Sequence, residues 1–124
     1  MRTTDFVATL FDNAEGKHNK IVIALTMALN AAQKGHSSTL ILMGDAVLLG
    51  TPNAMTDIDI GAPFKTATEL LEAYLAADGT VAVCKSCMVN KGVKQEQLDE
   101  RYLCITGADV IDLTMNATGT MQIA

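Results

Sequence analysis

The segment Cys84-Lys85-Ser86-Cys87 has the residue types and spacing that could carry out chemistry. It follows directly on the apolar run 80–83, which predicts that Cys84 stands where a buried strand ends and a helix begins. The free N–H groups of a first helical turn favour the thiolate, the nucleophilic form of cysteine, and Lys85 would add positive potential that tunes the thiol pKa. Cys87 returns to roughly the same side of that helix and could serve as a resolving thiol. The pattern predicts sulfur chemistry centred on Cys84.

A structural interpretation of the cysteines stays open beside the chemical one. Free cysteine is often a small buried hydrophobe, and Cys104, inside an apolar run, is predicted to belong to the core. Structural zinc needs four ligands, whereas the sequence has one C-x-x-C pair, with His18 and His36 far from it and without paired spacing. The usual phosphate-binding, dinucleotide-binding and serine-hydrolase motifs are missing. The sequence therefore predicts neither a metal site nor an organic cofactor.

Alternating strands and helices must position this segment. Strands are predicted at 5–11, 39–43, 80–83, 102–105 and 120–123. Helices are predicted at 17–34, over a segment that has Pro63 near its start and is ended by Gly79, at 94–100 and at 106–113, with one helical turn at 88–91. Gly35 is predicted to end the first helix, and Thr66 with Glu69 forms a capping-box pattern at the second. Because parallel strands need crossover helices, the order predicts a three-layer α/β/α sandwich with a mainly parallel sheet of five strands, forming one domain over residues 1–124.

Composition narrows the classes of partner. The chain has 124 residues, 49% of them hydrophobic, and a formal net charge of −5, so it can bury a core but lacks the clustered basic residues that nucleic acid requires. The apolar stretch 21–32 is too short to span a membrane, and no leader pattern precedes the first strand. These features predict a cytoplasmic protein with its cysteines held as thiols. The apolar piece 46–49 is expected on the surface, buried against a partner subunit.

Two stretches resemble the DsrE/DsrF-like family of small sulfur-handling proteins. The first runs from Ala62-Pro63-Phe64 through Cys84 to Lys91-Gly92, with a basic residue and a glycine at the family's spacing after the cysteine; the second is the segment 43–47. The resemblance implies a flavodoxin-like fold, homo-oligomers such as trimers or hexamers, and a persulfide on the cysteine that matches Cys84. The terminal segment 118–124 departs from the family pattern. Since many relatives have no assigned activity, the resemblance implies a site more firmly than a reaction.

Three hypotheses follow. In the preferred one the protein is a sulfur carrier or sulfurtransferase-like protein that takes sulfane sulfur onto Cys84 and passes it to a partner thiol, with donor and acceptor being proteins or small thiols. In the second it is a non-catalytic oligomeric binding or scaffold protein of the same fold. In the third it is a thiol–disulfide redox protein that needs both Cys84 and Cys87.

Overall fold

A five-stranded, entirely parallel sheet forms the centre of the computed structural model, which describes all residues 1–124. The strands are β1 (Phe6–Leu10), β2 (Ser38–Leu42), β3 (Thr80–Cys84), β4 (Leu103–Ile105) and β5 (Gly119–Ile123). Their order in the sheet is β4-β3-β2-β1-β5, and β1 pairs with β2 on one side and with β5 on the other. The predicted α/β fold with a parallel sheet of five strands is confirmed.

Helices cover the two faces of the sheet unequally. They are α1 (His18–Gln33), α2 (Ala67–Ala76), α3 (Lys85–Lys91) and α4 (Gly107–Asn116), with 3-10 helices at Gly44–Gly50 and Gln95–Gln97. A core cluster of 25 buried residues includes the apolar faces of α1 and α2, whereas a cluster of five on the other face includes Leu113 of α4. The three predicted layers are present, with most of the buried apolar surface in one of the two interfaces.

The alternation of side chains along β1 shows how short apolar runs build both interfaces. Ala8 and Leu10 belong to the larger cluster, whereas Val7 belongs to the smaller cluster on the opposite face of the sheet. Successive side chains of a strand point to opposite faces, so a strand covered on both sides reads as an unbroken apolar run. The sequences of β1, β2 and β3 therefore show no regular alternation of apolar and polar residues.

The helix ends follow the predicted signals. The Oγ1 of Thr66 accepts a hydrogen bond from the backbone N–H of Glu69 at 3.2 Å, and the Glu69 carboxylate accepts from the Thr66 backbone N–H at 3.3 Å. This is the predicted capping box at the start of α2. Gly35, just after α1, has a φ of +91°, a left-handed conformation that strains other residues, so it ends the helix as predicted.

Three local expectations are wrong. Residues 94–100 form only the short 3-10 helix Gln95–Gln97, because the following backbone is tied elsewhere: the N–H of Asp99 donates to the carbonyl of Gly50 at 2.8 Å. The apolar piece 46–49 is mostly not surface: its side chains at 46, 47 and 49 are buried in the chain's own core, and Leu48 is 38% exposed. Cys104 is half-buried rather than core.

Asp99 and Arg101 anchor the segment that replaces the expected helix. The guanidinium of Arg101 donates to both carboxylate oxygens of Asp99, at 3.1 and 3.0 Å, and reaches Glu72 of α2 at 2.8 Å. Asp99 is 6% exposed, and the hydrogen bonds from Arg101 lower the pKa of its carboxyl group. The ionised Asp99 therefore holds the Arg101 side chain, which links residues 99–101 to Glu72 of α2.

Replacing Asp99 by Asn is expected to lower the free energy of unfolding by about 1–3 kcal/mol, because a buried charged partner of Arg101 is lost. Since the folded-state pKa of Asp99 lies below its unfolded value, its contribution is complete above about pH 4 and is lost as the pH falls through the folded pKa. Urea titrations of both proteins at neutral and acidic pH measure this difference. Glu72→Gln is the matched control, because that exposed pair should contribute under about 1 kcal/mol; an equal loss in both variants would contradict the assignment.

Candidate functional site

Cys84 is the last residue of β3 and the residue immediately before α3. It lies in register with Ile105 of the neighbouring strand and is 4% exposed. The carboxyl ends of β1, β2 and β3 meet at the same edge of the parallel sheet, which is where such folds place their reactive groups. Cys84 therefore stands at the position that the sequence predicts, with little of its surface open to solvent.

Cys87 lies in the first turn of α3, is more exposed than Cys84, and has the Cys84 thiol as a close neighbour. Burial raises the pKa of the Cys87 thiol, and the adjacent Cys84 thiol raises it further, while the backbone N–H of Gly44 and the ammonium of Lys91 oppose this shift. The two cysteines are free thiols, not a disulfide. The predicted proximity of Cys84 and Cys87 is thus present, and Cys87 holds its proton to a higher pH than an ordinary cysteine.

Gly44 brings backbone polarity to the sulfur pair from a different part of the chain. It follows β2 directly, and its φ of +53° turns the chain into the 3-10 helix Gly44–Gly50. A Cβ atom at this position would stand 3.5 Å from the ring of Phe11, which follows β1. The backbone turn, rather than crowding, therefore requires glycine here, and it places Gly44 where its backbone lowers the pKa of Cys87.

An ion pair closes the outer side of the same cluster. The Nζ of Lys91 lies 2.6 Å from Oδ1 of Asp45, and the two side chains are 37% and 56% exposed. Lys91 stands four residues after Cys87, hence one helical turn away on the same face of α3, and Asp45 follows Gly44. The start of the 3-10 helix therefore lies against α3 beside Cys87: Asp45 pairs with Lys91, and Gly44 acts on Cys87 itself.

Lys85 and Cys104 line a cavity that neither Cys84 nor Cys87 lines. This open cavity has a volume of about 550 Å³ and is also lined by Met88, Val89 and Lys94. The Lys85 side chain is exposed, and Lys91 is the lysine whose charge acts on Cys87. The Sγ of Cys104 is 4.0 Å from the sulfur of Met88. The structure therefore brings Cys84 and Cys87 together with Gly44, Asp45 and Lys91, while Lys85 faces the cavity.

No three His, Cys, Asp or Glu side chains lie close enough together to hold a metal ion. His18 is engaged locally, with its Nε2 2.6 Å from the carbonyl oxygen of Ala14. None of the helices is both long and apolar enough to cross a membrane.

Comparison with known proteins gives the same fold. The model of the DsrE/DsrF-like family matches residues 7–123. The crystal structure of the ychN protein from E. coli is 19% identical, covers 98% of this chain and 99% of its own, and superposes with a TM-score of 0.70. A conserved protein of unknown function from Bacteroides thetaiotaomicron, BT1422, is 18% identical over 96% and 95% of the two chains, with a TM-score of 0.65. No curated protein matches the sequence.

Proposed function

The chain belongs to the DsrE/DsrF-like family, and on that premise we propose that it is a sulfur carrier or sulfurtransferase-like protein, one domain over residues 1–124, that holds sulfane sulfur as a persulfide on Cys84. The observation that carries the proposal is the placement of Cys84 at the carboxyl edge of the sheet beside a second thiol and a cation. Free thiols in that setting support sulfur exchange.

Sulfur exchange accounts for both loading and release. The Cys84 thiolate attacks the outer sulfur of a donor persulfide, the bond between the donor's two sulfur atoms breaks, and the donor leaves as a thiolate. The outer sulfur, with its proton or negative charge, is then bonded to Cys84. An acceptor thiolate attacks that sulfur in turn, and Cys84 leaves as a thiolate. The sulfur thus passes through Cys84 without net oxidation or reduction of the protein.

The protonation state of Cys87 affects the lifetime of such a persulfide. If the Cys87 thiolate attacks the inner sulfur of the Cys84 persulfide, a Cys84–Cys87 disulfide forms and hydrosulfide leaves. The pKa of Cys87 is raised, mainly by burial, so little of this thiolate is present near neutral pH. This supports a carrier whose persulfide survives until it meets an acceptor, with internal hydrosulfide release increasing as the pH rises.

The neighbouring thiols also favour a second candidate, a redox protein that cycles through a Cys84–Cys87 disulfide. We expect Cys87→Ala to separate the two. A carrier without Cys87 still takes up sulfur from inorganic polysulfide and, after the donor is removed, passes it to free cysteine. Alkylation and mass spectrometry of protein and acceptor measure both steps. Loss of uptake and transfer in Cys87→Ala, together with a stable disulfide in the wild type, would favour the redox role.

Assembly and compartment stay predictions. The homo-oligomer implied by the resemblance is supported by α4, where Ile111 and Met115 are 61% and 78% exposed. The expected donor and acceptor, proteins or small thiols, follow from the exchange chemistry. A cytoplasmic location is the setting in which free cysteines persist as thiols.

A further inference from the structure

Lys91 is the cation that acts on Cys87, one helical turn before it on α3, and the structure couples it to Asp45. The ammonium lowers the pKa of Cys87, and the Gly44 N–H acts in the same direction. Asp45, the next residue after Gly44, holds the Lys91 ammonium at 2.6 Å. The other lysines near α3, Lys85 and Lys94, line the cavity that Cys104 also lines.

A positive charge beside the thiols reduces the electrostatic repulsion between the attacking thiolate and an anionic sulfur donor. The attacking group is a thiolate, and the commonest sulfane sulfur donors, such as polysulfide and hydropersulfide, are anions as well. Two negative charges repel each other as they approach, and the chain as a whole carries a net charge of −5. A fixed ammonium and an N–H beside the reacting sulfurs offset this repulsion. A neutral donor gains much less from them.

We propose that Lys91 makes the Cys84–Cys87 site selective for negatively charged sulfane sulfur donors, and that Asp45 attenuates this selectivity by partly neutralising Lys91 while holding it in place. The inference rests on the proposed sulfur carrier for its substrate, but its electrostatic basis can be measured without any sulfur transfer. Lys91 is a specificity-determining residue, and Asp45 is a positioning residue that acts through it.

The two members of the ion pair should have opposite effects when each is changed alone. Lys91→Gln removes the positive charge and leaves Asp45, so an anionic reagent meets a more negative site. Asp45→Asn removes the negative charge and keeps an amide oxygen that can still accept from Lys91, so an anionic reagent meets a more positive site. A purely structural ion pair predicts the same direction for both changes, because either change removes the same charge–charge attraction.

Iodoacetate and iodoacetamide provide the test, because they alkylate thiolates in the same way and differ in charge. Trypsin separates the three cysteines: Cys84 falls in peptide 66–85, Cys87 in 86–91 and Cys104 in 102–124. In Lys91→Gln, which loses the cleavage site after residue 91, Cys87 falls in peptide 86–94. We expect the iodoacetate-to-iodoacetamide rate ratio at Cys87 to fall about threefold or more in Lys91→Gln and to rise by a similar factor in Asp45→Asn. Both shifts in the rate ratio should become smaller at high salt. Lys91→Arg, which keeps the positive charge, should have the wild-type ratio.

Lys94→Gln is the matched control, because it changes the net charge equally on the other side of α3 and should leave the ratio at Cys87 unchanged. Ratios that move in the same direction in Lys91→Gln and Asp45→Asn, or do not move, would overturn the inference. Sulfur loading is measured in parallel with polysulfide and with a neutral organic trisulfide. If the alkylation ratios shift as expected but no variant loads sulfur, charge selection stands and the carrier role fails; if loading occurs but the ratios do not shift, the reverse holds.

Discussion

Replacing Cys84 by Ser should abolish the uptake of sulfane sulfur from polysulfide. The substitution changes one atom, but a serine hydroxyl is not ionised near neutral pH and cannot form a persulfide, whereas thiolate attack is the step on which loading depends. Because Cys84 is 4% exposed, the polar hydroxyl is also expected to cost about 1–3 kcal/mol of stability. Intact mass after incubation with polysulfide measures uptake, and circular dichroism checks that the variant is folded.

Two other cysteine variants serve as controls. Cys104→Ser removes a half-buried thiol beside Met88 that has no part in the proposed exchange, so it should load like the wild type. Cys87→Ala should also load, and its persulfide should persist longer at alkaline pH, since no second thiolate can displace hydrosulfide. If Cys84→Ser gains sulfur at the wild-type level, the assignment of the persulfide to Cys84 is wrong.

The largest stability loss is expected from Tyr74→Ala, about 3–5 kcal/mol, the range for removing a large aromatic side chain from a core. Tyr74 is completely buried, and its hydroxyl lies 3.0 Å from that of Ser38 and donates to the carbonyl of Thr80 at 3.2 Å. The ring also fills the space above Gly79, where a Cβ atom would stand 2.3 Å from it. Tyr74 thus joins α2 to β2 and β3.

Urea unfolding of Tyr74→Ala and Tyr74→Phe separates packing from hydrogen bonding. The phenylalanine variant keeps the ring and should lose about 1 kcal/mol, because Ser38 still has the carbonyl of Ala28 at 3.4 Å as a partner. A loss in Tyr74→Phe as large as in Tyr74→Ala would contradict this division and assign the effect to the hydroxyl.

Tyr74 also predicts how the protein responds to alkali. Burial raises the pKa of Tyr74 to about 12, whereas the unfolded side chain ionises near pH 10. Stability should therefore fall as the pH rises between these values, because the unfolded state releases protons that the folded state retains. Burial raises the pKa of Tyr102 to about 12 as well, so Tyr74→Phe should reduce the alkaline slope without removing it.

The parts of the fold that depend on local sequence could be predicted. β1 and β3 are short apolar runs, and Gly35 and the pair Thr66 and Glu69 mark helix ends through their own backbone chemistry. Cys84 was equally accessible to sequence reasoning, because it follows its strand directly and needs no distant residue to define its place. The family resemblance carried by residues 62–93 is confirmed by the family model.

The surroundings of the sulfur pair could not be predicted in the same way. Asp45 and Lys91 are far apart in sequence, and they meet only because β2 and β3 are neighbours whose carboxyl ends lie at one edge of the sheet. The adjacency of Lys85 to Cys84 predicts a cation that tunes the thiol, and this stays a prediction, whereas nothing in the local sequence connects Lys91 with Asp45. The one usable signal was Gly44-Asp45 directly after a strand, a place where parallel sheets collect functional groups.

The location of the sulfur within the wild-type chain tests the central claim most directly. The protein is incubated with polysulfide, freed of donor, alkylated to trap persulfides and digested with trypsin, which gives each cysteine its own peptide. The account predicts one additional sulfur on peptide 66–85, which holds Cys84, and none on 102–124, which holds Cys104. Additional sulfur on Cys104 alone, or on no peptide while all three thiols alkylate normally, would contradict it.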